Sequence, residues 1–147
     1  MAEEKKGMII AEEATITGDI STQTDIAVDG TIEGNIKTTG KVAISGAVHG
    51  KITALSVGLV NGAEVTGDIE SEKKVIIGRE CSAQGNITSA EVEVAGDVLG
   101  DIEAKTEVVV KETAKIKGTI TAPSVDIAKS AMISGLVEIG DWHNIEE

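Results

Sequence analysis

The sequence is almost without aromatic residues: its 147 residues include no Phe, no Tyr and one Trp. A core built from this chain must therefore consist of Val, Ile, Leu and Ala, and stacking platforms for nucleic-acid bases are excluded. The single cysteine, Cys81, cannot form an internal disulfide, and no paired-thiol metal motif is present. No run of 18 apolar residues occurs, so the sequence predicts no transmembrane helix.

Basic residues are also scarce. The chain has 13 Lys and Arg residues and 25 Asp and Glu residues, which gives a net charge of -12. An acidic surface repels phosphate backbones and anionic lipids, so we expect no nucleic-acid partner. The first residues are mostly polar and lack the apolar core of a signal peptide. These features predict a cytoplasmic protein.

Glycine, in contrast, is abundant, and eight glycines mark an internal repeat. Seven begin the motif Gly-x-Ile and the last begins Gly-Leu-Val, with successive steps of 16, 16, 17, 18, 15, 18 and 17 residues. The marker glycines are Gly18, Gly34, Gly50, Gly67, Gly85, Gly100, Gly118 and Gly135.

Apolar residues occupy fixed positions around each marker glycine, two before it and two after it. A further apolar pair with a spacing of two recurs in mid-repeat, as in Ile26 and Val28 or Val75 and Ile77. β-branched residues at every second position, separated by polar ones, are typical of strands. No stretch shows the spacing of an amphipathic helix.

A small residue stands four positions before each marker glycine, as expected at a crowded inside corner. These residues are Ala14, Gly30, Gly46, Ala63, Cys81, Gly96, Ala114 and Ala131. The sequence therefore predicts an all-β fold, a single-stranded parallel β-helix (solenoid) of about eight coils with three short strands per coil. We expect a short polar tail at residues 1–7, the β-helix at 8–140 and a second tail at 141–147.

Few residues suggest chemistry, and we predict no catalytic residue, cofactor or metal site. His49 lies in an outward position, and two histidines in unrelated positions do not provide a three-imidazole zinc site. Asp or Asn follows five of the marker glycines, but Lys51, Thr119 and Leu136 interrupt this column, and turn preference explains it without calcium. Cys81 replaces a small corner residue, so we expect a buried, inert thiol.

The two ends of such a stack are predicted to be the functional surfaces. Open end coils present unpaired backbone groups next to apolar side chains, and natural proteins normally cover such edges. The flanking segments offer no amphipathic cap, so a second copy of the chain could satisfy both edges. The candidate polymer interface comprises Met8, Ile10, Ile133, Val137, Ile139 and Trp142.

The chain resembles the bactofilins, a family of bacterial cytoskeletal β-helix polymers, over residues 8–140. The resemblance rests on the segment from Ile26 to Ile36 (IAVDGTIEGNI) and on the similar repeat segments at 46–52 (GAVHGKI) and 63–69 (AEVTGDI). It implies a right-handed helix, nonpolar end-to-end filaments formed without nucleotide, and roles in cell shape or in localising envelope-associated partners. Many members also contact the inner face of the cell membrane through a short apolar N-terminal segment. Here only 8–10 is apolar in that region, and we expect it to be the first strand.

Two other functions are compatible with a β-helix. The first is a left-handed, acyltransferase-like trimeric enzyme with His49 near a subunit boundary, although no connection is long enough to form the usual substrate loop. The second is a monomeric module that binds a repetitive ligand on a flat face. Its threonines, including Thr17 and Thr31, do not form the long regular array that such binding would need.

Overall fold

A computed structural model describes residues 8–60 and 62–139 of the chain, and within them every regular element is a β-strand. The strands are short because each spans one side of a coil, except where two sides merge into one continuous strand. They are β1 (Met8–Ile10), β2 (Thr15–Thr17), β3 (Ile20–Thr22), β4 (Ile26–Val28), β5 (Thr31–Glu33), β6 (Ile36–Thr38), β7 (Lys41–Ile44), β8 (Ala47–His49), β9 (Ile52–Leu59), β10 (Glu64–Thr66), β11 (Ile69–Ile77), β12 (Ser82–Gln84), β13 (Ile87–Val94), β14 (Asp97–Leu99), β15 (Ile102–Val110), β16 (Lys115–Lys117), β17 (Ile120–Ala122), β18 (Val125–Ile127), β19 (Met132–Ser134) and β20 (Val137–Ile139).

All strand pairs are parallel, and each strand pairs with its equivalent one repeat earlier and later, which confirms the predicted solenoid. We number the coils 1 to 8, covering residues 8–22, 26–38, 41–54, 56–71, 74–89, 91–104, 107–122 and 125–139. Face 1 contains the strand that opens each coil, face 2 the eight-stranded sheet from β2 to β19, and face 3 the strand that follows each marker glycine. Faces 1 and 3 belong to one twelve-stranded sheet because β9, β11, β13 and β15 continue around the corner between them.

The core is a set of stacked columns of one aliphatic residue per coil, as the spacing of apolar residues predicts. In the column that includes Val28, Ile44, Leu59, Ile77 and Val94, each of these side chains is 0% exposed. The apolar residues beside the marker glycines form two further buried columns, exemplified by Val65 and Ile69. Since every residue faces its equivalent in the next coil, each coil buries the apolar face of its neighbour.

The marker glycines are required because of both their conformation and their surroundings. All eight have φ values between 127° and 150°, a range that side-chain-bearing residues rarely adopt. At Gly67, a Cβ atom would lie 2.1 Å from the carbonyl oxygen of Gly50 in the preceding coil. At the seven marker glycines from Gly34 to Gly135, the backbones of successive coils approach too closely for any side chain, and at Gly18 the positive φ value alone favours glycine.

The small corner residue depends on the length of the turn before it. Where the corner has a single intervening residue it is Gly30, Gly46 or Gly96, and an added Cβ would lie within 2.4 Å of a carbonyl oxygen of the preceding coil. Where three residues intervene, the corner holds Ala or Cys, and its N–H donates to the carbonyl three residues earlier, as from Ala114 to Lys111 at 3.1 Å. The longer turn thus provides the space that one methyl or thiol group needs.

Face 3 contains a column of small inward residues that the sequence pattern did not reveal. It comprises Thr22, Thr38, Ala54, Ser71, Ser89, Ala104 and Ala122. Two of its hydroxyls donate to backbone carbonyls, Thr38 to that of Thr24 at 2.6 Å and Ser71 to that of Leu55 at 2.8 Å, and the Thr22 hydroxyl accepts from the N–H of Thr24. The buried Ser89 hydroxyl has no hydrogen-bond partner within the described part of the chain.

Replacing Gly67 with Ala should lower the free energy of unfolding by about 3 kcal/mol or more, because the added methyl meets the Gly50 carbonyl and the φ value of 138° is strained. Gly58→Ala is the matched control, since a Cβ there has no neighbour within 4 Å, and it should change stability by less than about 0.5 kcal/mol. Urea denaturation followed by far-UV circular dichroism measures both. Equal effects of the two substitutions would contradict the close-approach explanation.

Ser89→Ala should raise the free energy of unfolding by about 1 kcal/mol, because it removes a buried hydroxyl that lacks a partner. The same change at Ser71, whose hydroxyl bonds to the Leu55 carbonyl, should lower stability by about 1 kcal/mol. Thermal unfolding of the two variants beside the parent protein gives the signs. A loss of stability in both would show that Ser89 has a partner in solution.

Candidate polymerisation interface

Each end of the stack presents three edge strands. At one end β1, β2 and β3 pair only with β4, β5 and β6 within the described residues. At the other end β18, β19 and β20 pair only with β15, β16 and β17 in the same part of the chain. Edge strands carry N–H and C=O groups that can pair with a further strand, so both ends can in principle extend the sheets.

The apolar core is exposed at coil 8. Ile127 continues the column of Val94 and Val110, which are 0% and 1% exposed, yet it is itself 43% exposed. Val125, Ile133 and Val137, which end the other aliphatic columns, are partly buried, whereas their equivalents in the preceding coil are almost fully buried. Coil 8 therefore presents a cross-section of the core that a further coil would cover.

Coil 1 is more closed than coil 8. Ile10 and Ile20 are 3% and 7% exposed, and Ile16 is partly buried against the core. The large exposed apolar side chain of this coil is Ile9, which is 76% exposed and points outward from face 1. Among the described side chains, the two ends thus differ in how much apolar surface they expose.

The predicted interface residues fall into three groups. Ile133 and Val137 lie in β19 and β20 at the open end, with their side chains partly exposed. Ile10 lies in β1 but is buried within coil 1. Met8 and Ile139 lie in the edge strands β1 and β20, although their side chains are not described, and Trp142 lies outside the described residues.

Three exposed apolar residues of coil 8 were not among the predicted interface residues, namely Ile127, Met132 and Leu136. Ile127 belongs to a column that is buried in every other coil, so only its place in the last coil distinguishes it. Met132 and Leu136 occupy outward positions where earlier coils have polar residues such as Lys115 and Thr119. This change to apolar residues in the last repeat is the sequence signal that could have identified them.

The Asp and Asn residues after the marker glycines form a ladder of hydrogen bonds between coils. The Oδ1 atom of each accepts from the backbone N–H of the equivalent residue one coil later, with Asn35 donating to Asp19 at 3.0 Å and Thr119 donating to Asp101 at 3.1 Å. These oxygens already have partners, and the described residues contain no group of three or more side chains suited to a metal ion. The ladder is a structural feature of the corner.

His49 and Cys81 lie apart from any cluster of reactive groups. His49 is exposed on β8, between Glu33 and Thr66 in register, and it is one outward residue of face 2. Cys81 is 1% exposed at the corner before β12, as its place in the small-residue column predicts. Within the described residues, no helix has the length and apolar character needed to cross a bilayer.

The fold defines the class of protein, a β-solenoid with one apolar end. A family model described as "Bactofilin: Polymer-forming cytoskeletal" matches residues 8–63 and 46–138. These overlapping matches cover most of the chain, so the chain belongs to the bactofilin family, a structural and cytoskeletal family. Searches of curated proteins and of solved structures found no match.

Asp101→Ala should lower the free energy of unfolding by about 1 kcal/mol, because the N–H of Thr119 loses its acceptor. Asp97→Ala, at an exposed outward position of β14, is the control and should change stability by less than about 0.5 kcal/mol. Calcium or a chelator should leave the melting temperature of the parent protein unchanged. A calcium-dependent rise that disappears in Asp101→Ala would contradict a purely structural ladder.

Proposed function

We propose that this bactofilin assembles end to end into filaments without nucleotide, and that the filaments act as a non-enzymatic scaffold that organises cell shape or localises envelope-associated partners. The observation that carries the proposal is the 43% exposure of Ile127 in a column that is otherwise fully buried. The family's description as polymer-forming and cytoskeletal supports self-association.

A second molecule docked on coil 8 would make the same contacts with it as a further coil of the same chain. It would cover Ile127, Ile133 and Val137, and complete burial of an aliphatic side chain contributes about 1.5–3 kcal/mol relative to full exposure. It would also bring acceptors and donors to the edges of β18, β19 and β20. Both gains favour growth along the stack axis.

Nucleotide independence is supported by the engagement of the glycine backbone. The N–H of Gly67 donates to the carbonyl of Gln84 at 2.7 Å, and that of Gly34 to His49 at 2.9 Å. A phosphate-binding loop needs backbone N–H groups that point freely at the ligand. Seven of the eight marker glycines, from Gly18 to Gly118, instead use theirs to join the coils.

The candidate residues for this contact are Ile127, Ile133 and Val137 with Met8, Ile10, Ile139 and Trp142 from the sequence prediction. Ile10 is a poor site for a test, since a charge at 3% exposure would disrupt coil 1 as well as any contact. Ile127 is better, because its exposed side chain leaves an added carboxylate access to water. His49, on which the alternative of an enzyme depends, is exposed and lies in no group of three or more potential metal ligands within the described residues.

Ile127→Glu should abolish filaments while preserving the β-sheet circular dichroism, because it places a charge on the apolar end. Leu99→Glu is the matched control: Leu99 is 51% exposed on face 2, away from both ends, and filaments should persist. Electron microscopy and sedimentation of both proteins in nucleotide-free buffer provide the measurement. Filaments of normal length in Ile127→Glu would show that coil 8 is not the contact, and a monomeric parent protein would overturn the proposal itself.

A further inference from the structure

The outer surface of face 1 carries an apolar stripe that faces solvent. The residue at the centre of each strand points outward, and parallel register places Ile9, Ala27, Ala43, Gly58, Ile76, Glu93, Val109 and Asp126 in one column. The first five of these residues are apolar or small, and we call them the face 1 stripe. Among them Ile76 is 38% exposed and Ile9 is 76% exposed.

In the middle of the stripe, a position without a side chain lies next to an exposed isoleucine. Gly58 in coil 4 has open space where a side chain would be, because an added Cβ would have no neighbour within 4 Å. Ile76 occupies the equivalent position in coil 5 and projects beyond it. Gly58 and Ile76 therefore flank the midpoint of the eight coils on one flat face.

We propose that face 1 pairs with face 1 of a second, antiparallel copy of the chain, so that the two stripes overlap at Gly58 and Ile76, and so joins filaments side by side. With the two-fold axis between coils 4 and 5, coil 4 of one copy faces coil 5 of the other. Ile76 of each copy then fills the open space at Gly58 of its partner. This pairing goes beyond end-to-end assembly; the contact between two copies is independent of it, and the joining of filaments rests on the proposed function.

Charge complementarity supports this alignment. The column beside the stripe contains Lys41, Ser56, Lys74, Glu91 and Glu107. In the antiparallel pair Lys41 of coil 3 faces Glu91 of coil 6, and on the other side Asp29 of coil 2 faces Lys111 of coil 7. The like-charged pair Asp25 and Glu107 lies on the same coils as Asp29 and Lys111 and offsets their attraction, and solvent screens both pairs. The net complementarity therefore comes from Lys41 and Glu91 nearer the centre, whereas Ile9 faces Asp126 at the two margins.

The carboxylate of Glu93 does not destabilise the antiparallel pair, because two lysines of its own chain balance its charge. Lys74 and Lys111 approach its carboxylate at 3.5 and 3.7 Å. It would face Ala43 of the other copy. In a parallel pair, by contrast, Glu93 would face Glu93, and Gly58 would face Gly58 and leave a void. The antiparallel arrangement is therefore favoured over the parallel one.

The size of the face indicates a weak contact that becomes effective in a filament. Eight coils at ~4.8 Å and about five residues at ~3.3 Å give an area on the order of 600 Å² per copy. Two such faces bury about 1,200 Å², the lower limit for stable association. Repetition along a filament would strengthen the association, since every subunit adds a contact.

A lipid surface is a less suitable occupant. Face 1 also carries Glu91, Glu107 and Asp126, and the whole chain has a net charge of -12, so anionic headgroups would be repelled. A second copy offers instead the lysines and glutamates that this face needs opposite it.

Single-cysteine variants Gly58→Cys and Ile76→Cys, each combined with Cys81→Ala, test the pairing through disulfide formation. Antiparallel alignment predicts that a mixture of the two variants cross-links at least fivefold more than either variant alone. A Leu99→Cys variant on face 2 is the control and should not cross-link. End contacts cannot produce the mixed product, because coils 4 and 5 lie about 15–20 Å from either end.

Two outcomes would overturn the proposal. Efficient cross-linking within each variant, and not in the mixture, would indicate a parallel pair, whereas no cross-linking would exclude the face. As a second measurement, Ile76→Glu should give single filaments where the parent protein gives bundles in electron microscopy. Loss of sedimentation with phosphatidylglycerol vesicles in Ile76→Glu, without cross-linking in the mixture, would assign the stripe to lipid instead.

Discussion

The backbone contact between successive coils is the constraint on which the rest of this structure depends. At every marker glycine after Gly18, a Cβ atom would lie only about 2 Å from a carbonyl oxygen of the preceding coil, as at Gly67 and Gly50. This approach sets the register in which every aliphatic residue lies on its equivalent. The aliphatic columns, the ladder of Asp and Asn hydrogen bonds between coils and the small corner residues all follow from that register. Stacked aliphatic side chains therefore fill the core without aromatic residues.

The same register explains why the aliphatic core is exposed at coil 8. Within the stack, each coil covers the apolar face of one neighbour and has its own covered by the next, so side chains such as Ile77 and Val94 are fully buried. The last coil has the same kind of residue at Ile127 without the same cover. Membership of a polymer-forming family is consistent with a fold whose interior pattern is repeated at its surface.

Much of this fold could be predicted from the sequence because its strands repeat a single pattern. The spacing of Gly67 and Ile69 within each repeat identified the inward residues, and their burial agrees. The column that contains Ser71 and Ser89 was missed because small and polar residues carry no hydrophobic signal. Ile127 was missed for a different reason: its type and spacing match those of Val110, and its exposure results from its position in the stack. Local patterns report which side of a strand faces inward, whereas they do not report whether another coil lies above it.

The two corner lengths have a consequence for how such a molecule can change in size. A corner with one intervening residue requires glycine, one with three accepts Ala114 or Cys81, and both return the chain to the same register. Duplication or deletion of a whole repeat would therefore leave the remaining repeats undisturbed. Evolution could lengthen or shorten the subunit in increments of about 4.8 Å while keeping both terminal surfaces, so that the spacing of anything attached to the polymer becomes adjustable.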